Sequence, residues 1–416
     1  MAVLGTSQWR RLPLSLTELC IDTTLRCGQS FRWRKLDDEW HCTHHGRIVS
    51  LKQDADHLHY RATWPKASAV PLTPPASSTG TSTPEEPTAN ADDTEALLKN
   101  YFNLHHDLAE LYQQWADADP NFRKRAPKFT GVRMLNQDAW ETLVGFICSS
   151  NNNISRISQM VHKLCLHYGD FIGTVGGEVF HDFPSPAKLT SPGVEAHLRE
   201  LGFGYRAKYI AQTAQKISQD RPDGWLLSLR NPASIAWGAV PNKATPHEIA
   251  TYKRAHEQLL ELAGVGPKVA DCVCLMGLGW GEAVPVDTHV WQIAMRDYKF
   301  GAKTKNKTLT KALYDAVGDH FRELWGRQAG WAHSVLFTAD LRTFSDRLIE
   351  KDPKEEDDKV YAAVKVETKD DVAFVAPIIP SRKRKNVVVT EKVKVDADER
   401  AVAGLAGVRR SKRIRT

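Results

Sequence analysis

Leu262-Ala263-Gly264-Val265-Gly266-Pro267-Lys268-Val269-Ala270 lies between two stretches of helical periodicity, the first containing Leu259 and Leu260, the second running from Val269 through Cys272 and Val273 to Met276. The whole, about residues 255–277, reads as a helix-hairpin-helix. Glycines at 264 and 266 permit positive φ and let backbone approach a phosphate closely, and Pro267 suits the first helical position, where its absent N–H is not missed. The N–H groups behind it would form an anion site. Taken alone, Gly-x-Gly before a helix also fits a tight connection and nothing more.

Lys268 falls in the first turn of the second helix, where acidic residues are the usual preference. An ordinary lysine, with a pKa of about 10.4, is protonated at neutral pH and no nucleophile. The positive end of a helix dipole and burial in a pocket both disfavour the ammonium, so the position favours a free amine. A phosphate-binding lysine fits the same spacing. Nineteen residues on, Val284-Pro285-Val286-Asp287-Thr288-His289 leads into another helical run through Val290, Ile293 and Ala294. Asp287 is placed as its N-cap. Capping is the commoner fate of such an aspartate, but a carboxylate also stabilises an oxocarbenium-like transition state in glycosidic cleavage, and the two roles are compatible.

Outward from the hairpin, residues from Ala96 to about Thr343 keep a helical period, with Ile154, Ile157, Met160, Val161, Leu164 and Cys165 on one face. Trp9 to Trp64 instead shows short alternating runs, Phe31-Arg32-Trp33-Arg34 and Ile48-Val49-Ser50-Leu51-Lys52, separated by Asp, Gly and His clusters, and reads as antiparallel sheet. Between them, residues 66–98 are rich in Pro, Ser, Thr, Ala and Gly, too poor in large apolar groups to offset chain entropy, and are expected to be a disordered insert. The expected organisation is α+β: an N-terminal antiparallel sheet domain (1–65), the insert, a mainly helical two-lobed body (99–345), and a charged, mostly disordered tail (346–416).

The 416 residues are 42% hydrophobic, enough for a sizeable core. The net charge of +6 is concentrated in the tail: Ser381 to Thr416 holds twelve Lys and Arg against four Asp and Glu, leaving the remainder slightly acidic. Any nucleic-acid face on the body must therefore be local. The tail clusters Arg382-Lys383-Arg384-Lys385 and Arg409-Arg410-Ser411-Lys412-Arg413 read as nuclear-import or nucleic-acid patches; a solvated tail suits either one singly. Seven cysteines, an odd number without a CxxC pair, argue against a full disulfide framework and for a reducing, intracellular setting. No apolar run has the length of a membrane span and no signal-peptide core precedes Arg10 and Arg11, so a soluble chain without membrane association is expected.

With the hairpin, Lys268 and Asp287 in this order, the chain resembles the helix-hairpin-helix glycosylases, and among them the eukaryotic 8-oxoguanine DNA glycosylase family, over roughly residues 9–65 and 99–343. Further motifs carry the likeness: Gly28-Gln29-Ser30-Phe31-Arg32-Trp33, Phe146-Ile147-Cys148-Ser149-Ser150-Asn151-Asn152-Asn153-Ile154, Gly204-Tyr205-Arg206-Ala207 and Lys268-Val269-Ala270-Asp271-Cys272. Some relatives hold an iron–sulfur cluster on four C-terminal cysteines; with no cysteine after Cys274, this chain is expected to carry no cluster, metal or other cofactor. Cys272 and Cys274 read as helix neighbours pointing different ways.

The resemblance implies a monomeric base-excision repair enzyme that removes 8-oxoguanine opposite cytosine from duplex DNA, with β-lyase nicking at the abasic site. Lys268 would attack C1′ of the flipped nucleotide and Asp287 stabilise the sugar's charge. Gly28 would offer a backbone carbonyl to the N7 proton that distinguishes the lesion from guanine, Phe337 and Cys272 would sandwich the base, and Pro285 would line the pocket. His333 stands where the family often has Gln, so the base's Watson–Crick edge meets different chemistry. Asn151, Arg156 and Arg206 would hold the orphaned cytosine, Tyr205 would fill the gap, and Gly264, Gly266, Val269 and His289 would contact phosphates. Nuclear import machinery is the expected partner of the tail, and Arg10-Arg11 leaves room for some mitochondrial import. Two other readings stand beside this one: the same fold acting on another oxidised or alkylated base, and a non-catalytic DNA-binding protein using the hairpin as a phosphate clamp.

Overall fold

A computed structural model describes residues 4–65, 92–238, 250–302 and 309–347. The chain divides into a unit up to Glu350 and a second from Lys351 onward, and the latter, with both basic tail clusters, lies outside the described residues, as does most of the expected insert.

The first element group is one antiparallel sheet of β1 (Leu4–Thr6), β2 (Arg10–Pro13), β3 (Arg34–Leu36), β4 (Glu39–His44), β5 (Arg47–Gln53) and β6 (His57–Pro65), in the order β1-β6-β5-β4-β3 with β2 also on β6. Two of its hairpins, β3–β4 and β4–β5, turn on residue pairs with positive φ, Asp37-Asp38 and His45-Gly46, the two-residue connection whose twist matches that of the strands. Pairing Trp40 with Leu51 and Leu51 with Tyr60 puts alternate apolar residues on one face, where they form a core of their own. The strand expected from Phe31 starts only at Arg34. Phe31 is drawn into the helical core and Trp33 into the sheet core, so the chain here crosses between them.

What covers the sheet corrects the expected insert boundary. Helix α1 (Thr94–Tyr101) starts inside the segment read as disordered, and its Leu97, Leu98 and Tyr101 close the sheet core. Those two leucines belong to the helical period that starts at Ala96, which the insert boundary at 98 overlapped. On the opposite face, Ile48 packs on Ile172 and Phe180 of a two-stranded ribbon, β7 (Phe171–Val175) and β8 (Glu178–His181). The ribbon interrupts a region read as helical throughout. Its turn is Gly176-Gly177, both at positive φ, a hairpin signal carried by the residues themselves.

The helical body shares one contiguous apolar core. At its centre α2 (Ala139–Ser149), capped by Asp138, is buried along nearly its whole length and packs against α5 (Pro267–Met276). Helix α3 (Ile154–Tyr168) is amphipathic as expected, burying Ile157, Met160, Val161, Leu164 and Cys165. Helix α4 (Tyr252–Leu259) forms the hairpin with α5; α6 (Thr288–Asp297), α7 (Lys311–Trp325) and α8 (Ala329–Asp340) complete the frame around the cleft. Among the described residues no helix is long and apolar enough to cross a membrane.

Candidate active site

Helix α5 starts as the sequence suggested, with Pro267 at its first position and Lys268 next. Gly264 has φ of +77°, and a Cβ there would lie 2.6 Å from ring atoms of Tyr209. Gly266 departs from expectation. Its φ is −100° with extended ψ, open to any residue, and a Cβ on it would meet nothing within 4 Å. One glycine therefore answers to protein packing, while the other keeps its outer side open. Gly266 offers no side-chain cap, and the first turn closes when the Ala270 N–H donates to the Gly266 carbonyl, leaving the N–H groups of Lys268 and Val269 ahead of that closure. Val269 is buried, so only its backbone can meet a phosphate.

Lys268 Nζ donates to Ser149 Oγ at 3.2 Å and sits 4.9 Å from the centre of the Phe146 ring. Ser149 and Phe146 lie three apart at the end of α2 and so on one face of it. Both are site residues that the sequence reading quoted inside a motif without assigning a role. Ser149 belongs to the loop motif but becomes visible as a partner of Lys268 only when α2 packs on α5.

The lysine opens into a cleft of about 560 Å³ whose lining includes Gly28, Cys272, Pro285, Asp287, His289, His333 and Phe337. All of the residues expected around the base and the reacting sugar are thus brought together. Asp287 caps α6 as expected, its Oδ1 accepting N–H bonds from His289 and Val290, each at 2.9 Å. Burial pushes the Cys272 thiol up to about 12, against the lowering influence of Lys268, so it stands in the wall as an uncharged, polarisable surface. Phe337 meets the His289 ring edge-on at 6.1 Å. Gly28 has φ of +87° and would bring a Cβ within 3.1 Å of Ile154, which also lines the cleft.

His333 is buried in the α8 wall, and neither Nδ1 nor Nε2 has a hydrogen-bond partner. Burial pulls its pKa down to about 4, with Asp287 pulling the other way and Lys268 adding to the fall. Both nitrogens of this neutral ring are unsatisfied and themselves buried, so a group entering the cleft reaches them only if the ring or the α8 wall shifts.

The residues expected on the opposite strand do not line the cleft themselves but lie beside it, on the α2–α3 loop, whose Asn152 and Asn153 do line it, and at the Tyr205-Arg206 turn. Asn151 (φ +47°), Arg156 and Tyr205 are exposed. Arg206 is placed differently from the expectation that it reaches a base. Its side chain is buried, stacked 4.6 Å over the Tyr205 ring, and its Nη2 donates to the Ser150 and Asn151 carbonyls. Tyr205 Oη donates to the same Ser150 carbonyl at 3.1 Å. An arginine satisfied by two backbone carbonyls shapes the loop that carries Asn151, while its buried Nε remains without a partner.

A hairpin that ends in an uncapped helix start, a lysine in that first turn and a carboxylate on the same cleft suit a helix-hairpin-helix protein of DNA repair. Residues 144–316 match the HhH-GPD superfamily base excision DNA repair proteins, and residues 11–143 match the 8-oxoguanine DNA glycosylase N-terminal domain. The chain belongs to the 8-oxoguanine DNA glycosylase family. It is 37% identical to the N-glycosylase/DNA lyase of Saccharomyces cerevisiae, over 80% of this chain and 86% of that one. It is also 37% identical to the N-glycosylase/DNA lyase OGG1 of Arabidopsis thaliana, over 81% of each. Among solved structures, MBOgg1 in complex with a low affinity DNA ligand aligns with TM-score 0.60 and 25% identity, over 81% of this chain and 98% of that one. The apo-form of the Clostridium acetobutylicum 8-oxoguanine glycosylase/lyase shares the fold, with TM-score 0.59 and 23% identity over 81% of this chain and 98% of that one.

Proposed function

We propose that this base-excision repair glycosylase and lyase takes 8-oxoguanine paired with cytosine in duplex DNA, and that Lys268 is its nucleophile. One observation carries the reading: the lysine lies at an uncapped helix start and opens into the same cleft as Asp287, Gly28 and His333. With the base flipped into the cleft, the Nζ lone pair attacks C1′ as the bond from C1′ to N9 breaks, and that bond's electrons leave with the base, which takes up a proton. The Asp287 carboxylate stabilises the positive charge on the sugar as it develops. Loss of a proton from nitrogen and opening of the sugar leave a Schiff base. Removal of a C2′ proton then expels the 3′ phosphate and nicks the strand.

Gly28 supports lesion choice through its carbonyl, which would accept from the N7 proton of the oxidised base and repel the N7 lone pair of guanine. His333, neutral and unpartnered, supports a range that extends to a second oxidised purine, since either ring nitrogen can donate or accept according to tautomer. The basic clusters at 382–385 and 409–413 support nuclear import, to be checked by fusing residues 381–416 to a fluorescent protein and scoring its nuclear share.

The deciding test is borohydride trapping on an 8-oxoguanine:cytosine duplex. Wild type forms a covalent complex and Lys268→Gln forms none. No complex with wild type, or an undiminished one with the variant, ends the mechanism, and a panel of opposite bases and lesions measures its stringency.

A further inference from the structure

Asp271 lies one turn beyond Lys268 on α5 and takes no part in the cleft. It is almost wholly inaccessible, at 2% exposure, and burial alone pushes its pKa upward. A carboxylate in such a place is costly unless its oxygens are satisfied, and an apolar residue of similar size commonly serves stability as well. Its satisfaction here comes from three side chains on two other helices. Tyr252 of α4 donates its hydroxyl to Oδ1 and Tyr314 of α7 donates its hydroxyl to Oδ2. His256 of α4 places Nε2 3.5 Å from Oδ1.

The Tyr314 hydroxyl does a second thing. Its oxygen accepts the N–H of Val286 at 3.4 Å, the long end of hydrogen-bond range. Val286 is buried in the extended Val284-Pro285-Val286 approach to Asp287, where a backbone N–H needs an acceptor. A continuous path therefore runs from the helix carrying Lys268, through the Asp271 carboxylate and the Tyr314 hydroxyl, to the backbone N–H of the residue before Asp287. Lys268 and Asp287 stand on separate elements, and displacements of about 1 Å between reacting groups can cost on the order of 100-fold in rate.

We propose that Asp271 and Tyr314 are positioning residues which, acting through the Val286 N–H, fix Asp287 relative to Lys268. The clamp rests on the reading that Lys268 and Asp287 act together on one nucleotide, but its geometry can be tested without catalysis. Tyr314→Phe removes one hydroxyl and keeps the ring. In the full-length chain, amide exchange of Val286 and its neighbours should quicken about tenfold while exchange in α2 is unchanged. Single-turnover excision of 8-oxoguanine should slow about tenfold with DNA affinity held within about twofold. In an Asp287→Asn background the same change should add almost nothing, since both act through one carboxylate.

Unchanged exchange at Val286 overturns the clamp, as does a rate loss that is fully additive with Asp287→Asn. A lowered melting temperature with neither effect also overturns it, by reducing the network to structural support. If wild type fails to excise the base while Tyr314→Phe still loosens Val286, the substrate reading falls and the clamp remains. Should Tyr314→Phe not fold, Asp271→Asn, which keeps shape and drops charge, is put through the same measurements with the same outcomes.

Discussion

Helices α5 and α6 begin at the rim of one cleft and face the same physical problem, first-turn N–H groups that no helical carbonyl can reach. At α6 the protein solves it internally, with Asp287 accepting from His289 and Val290. At α5 it does not: Gly266 has no side chain to offer, and the Lys268 side chain that follows turns to Ser149 and carries no acceptor for those N–H groups. One start is finished with a negative charge of its own, and the other is left to an outside acceptor. The pair teaches that capping chemistry separates the two tasks of the site. The uncapped start leaves its N–H groups open beside an amine, while the capped start brings a carboxylate into the same cleft.

The largest effect expected from breaking this asymmetry comes from splitting the two roles of Asp287. Asparagine caps a helix about as well as aspartate, so Asp287→Asn should keep thermal stability close to wild type while excision falls on the order of 100- to 1,000-fold. Asp287→Ala loses the cap as well and should cost about a further 1 kcal/mol of stability in denaturant unfolding. Equal activity in wild type and Asp287→Asn would leave capping as the residue's whole purpose.

Gly264 and Gly266 allow a second cut, within the uncapped start. Alanine at 264 must adopt φ of +77° and push its Cβ against the Tyr209 ring, 2.6 Å away. Strain and overpacking together should destabilise the fold by about 2–4 kcal/mol, read as a shifted unfolding midpoint. Adding Tyr209→Ala should relieve the collision and leave the backbone strain. If Gly264→Ala unfolds as wild type does, the hairpin is less tightly held than its contacts indicate.

His333 stands between the two starts, with Asp287 raising its pKa and Lys268 lowering it while burial holds it down at about 4. The unfolded side chain titrates at about 6.5, so between these values the unfolded state binds the proton that the folded state refuses. The sign follows: above about pH 6.5 the residue adds no pH dependence, and stability falls as pH drops from there through about 4. Because other buried histidines contribute, the check is a difference. His333→Gln should flatten the decline in urea-unfolding free energy between pH 7 and about 4.5 relative to wild type. An unaltered decline would place the imidazole in a wetter setting.

These contrasts also mark how far the residues could be read in advance. Pro267, Lys268 and Asp287 were legible because helix starts obey local rules that a few neighbouring residues reveal. The sheet was legible from alternation and from turn residues at its hairpins. Ser149 and Phe146 were not legible as partners of Lys268, because they reach it across a helix–helix contact no local pattern encodes. Arg206 was read for its guanidinium's suitability for a base, whereas its position depends on two loop carbonyls more than fifty residues away in sequence. Leu97 and Leu98 fall where the insert boundary and the start of the helical period overlap, and the apolar sheet face they cover decides for the helix. Gly266 was read as permitting positive φ, and its φ of −100° uses no such freedom.

That last point yields the smallest and most specific effect. Among the described residues nothing opposes a Cβ at 266: φ is −100° and, its chain neighbours aside, no atom lies within 4 Å of where it would stand. Gly266→Ala should therefore leave the unfolding midpoint unchanged, or raise it slightly by restricting the unfolded chain. The methyl would instead project from the uncapped start toward whatever the first-turn N–H groups bind. If that is a DNA phosphate, affinity should fall a few-fold for damaged and undamaged duplexes alike, because a phosphate contact carries no sequence information. The slope of log affinity against log salt should become shallower by up to about one unit, the share of one phosphate contact. An unchanged salt slope with unchanged affinity would mean that α5 presents its lysine without holding the backbone, and the two helix starts would then differ in charge alone.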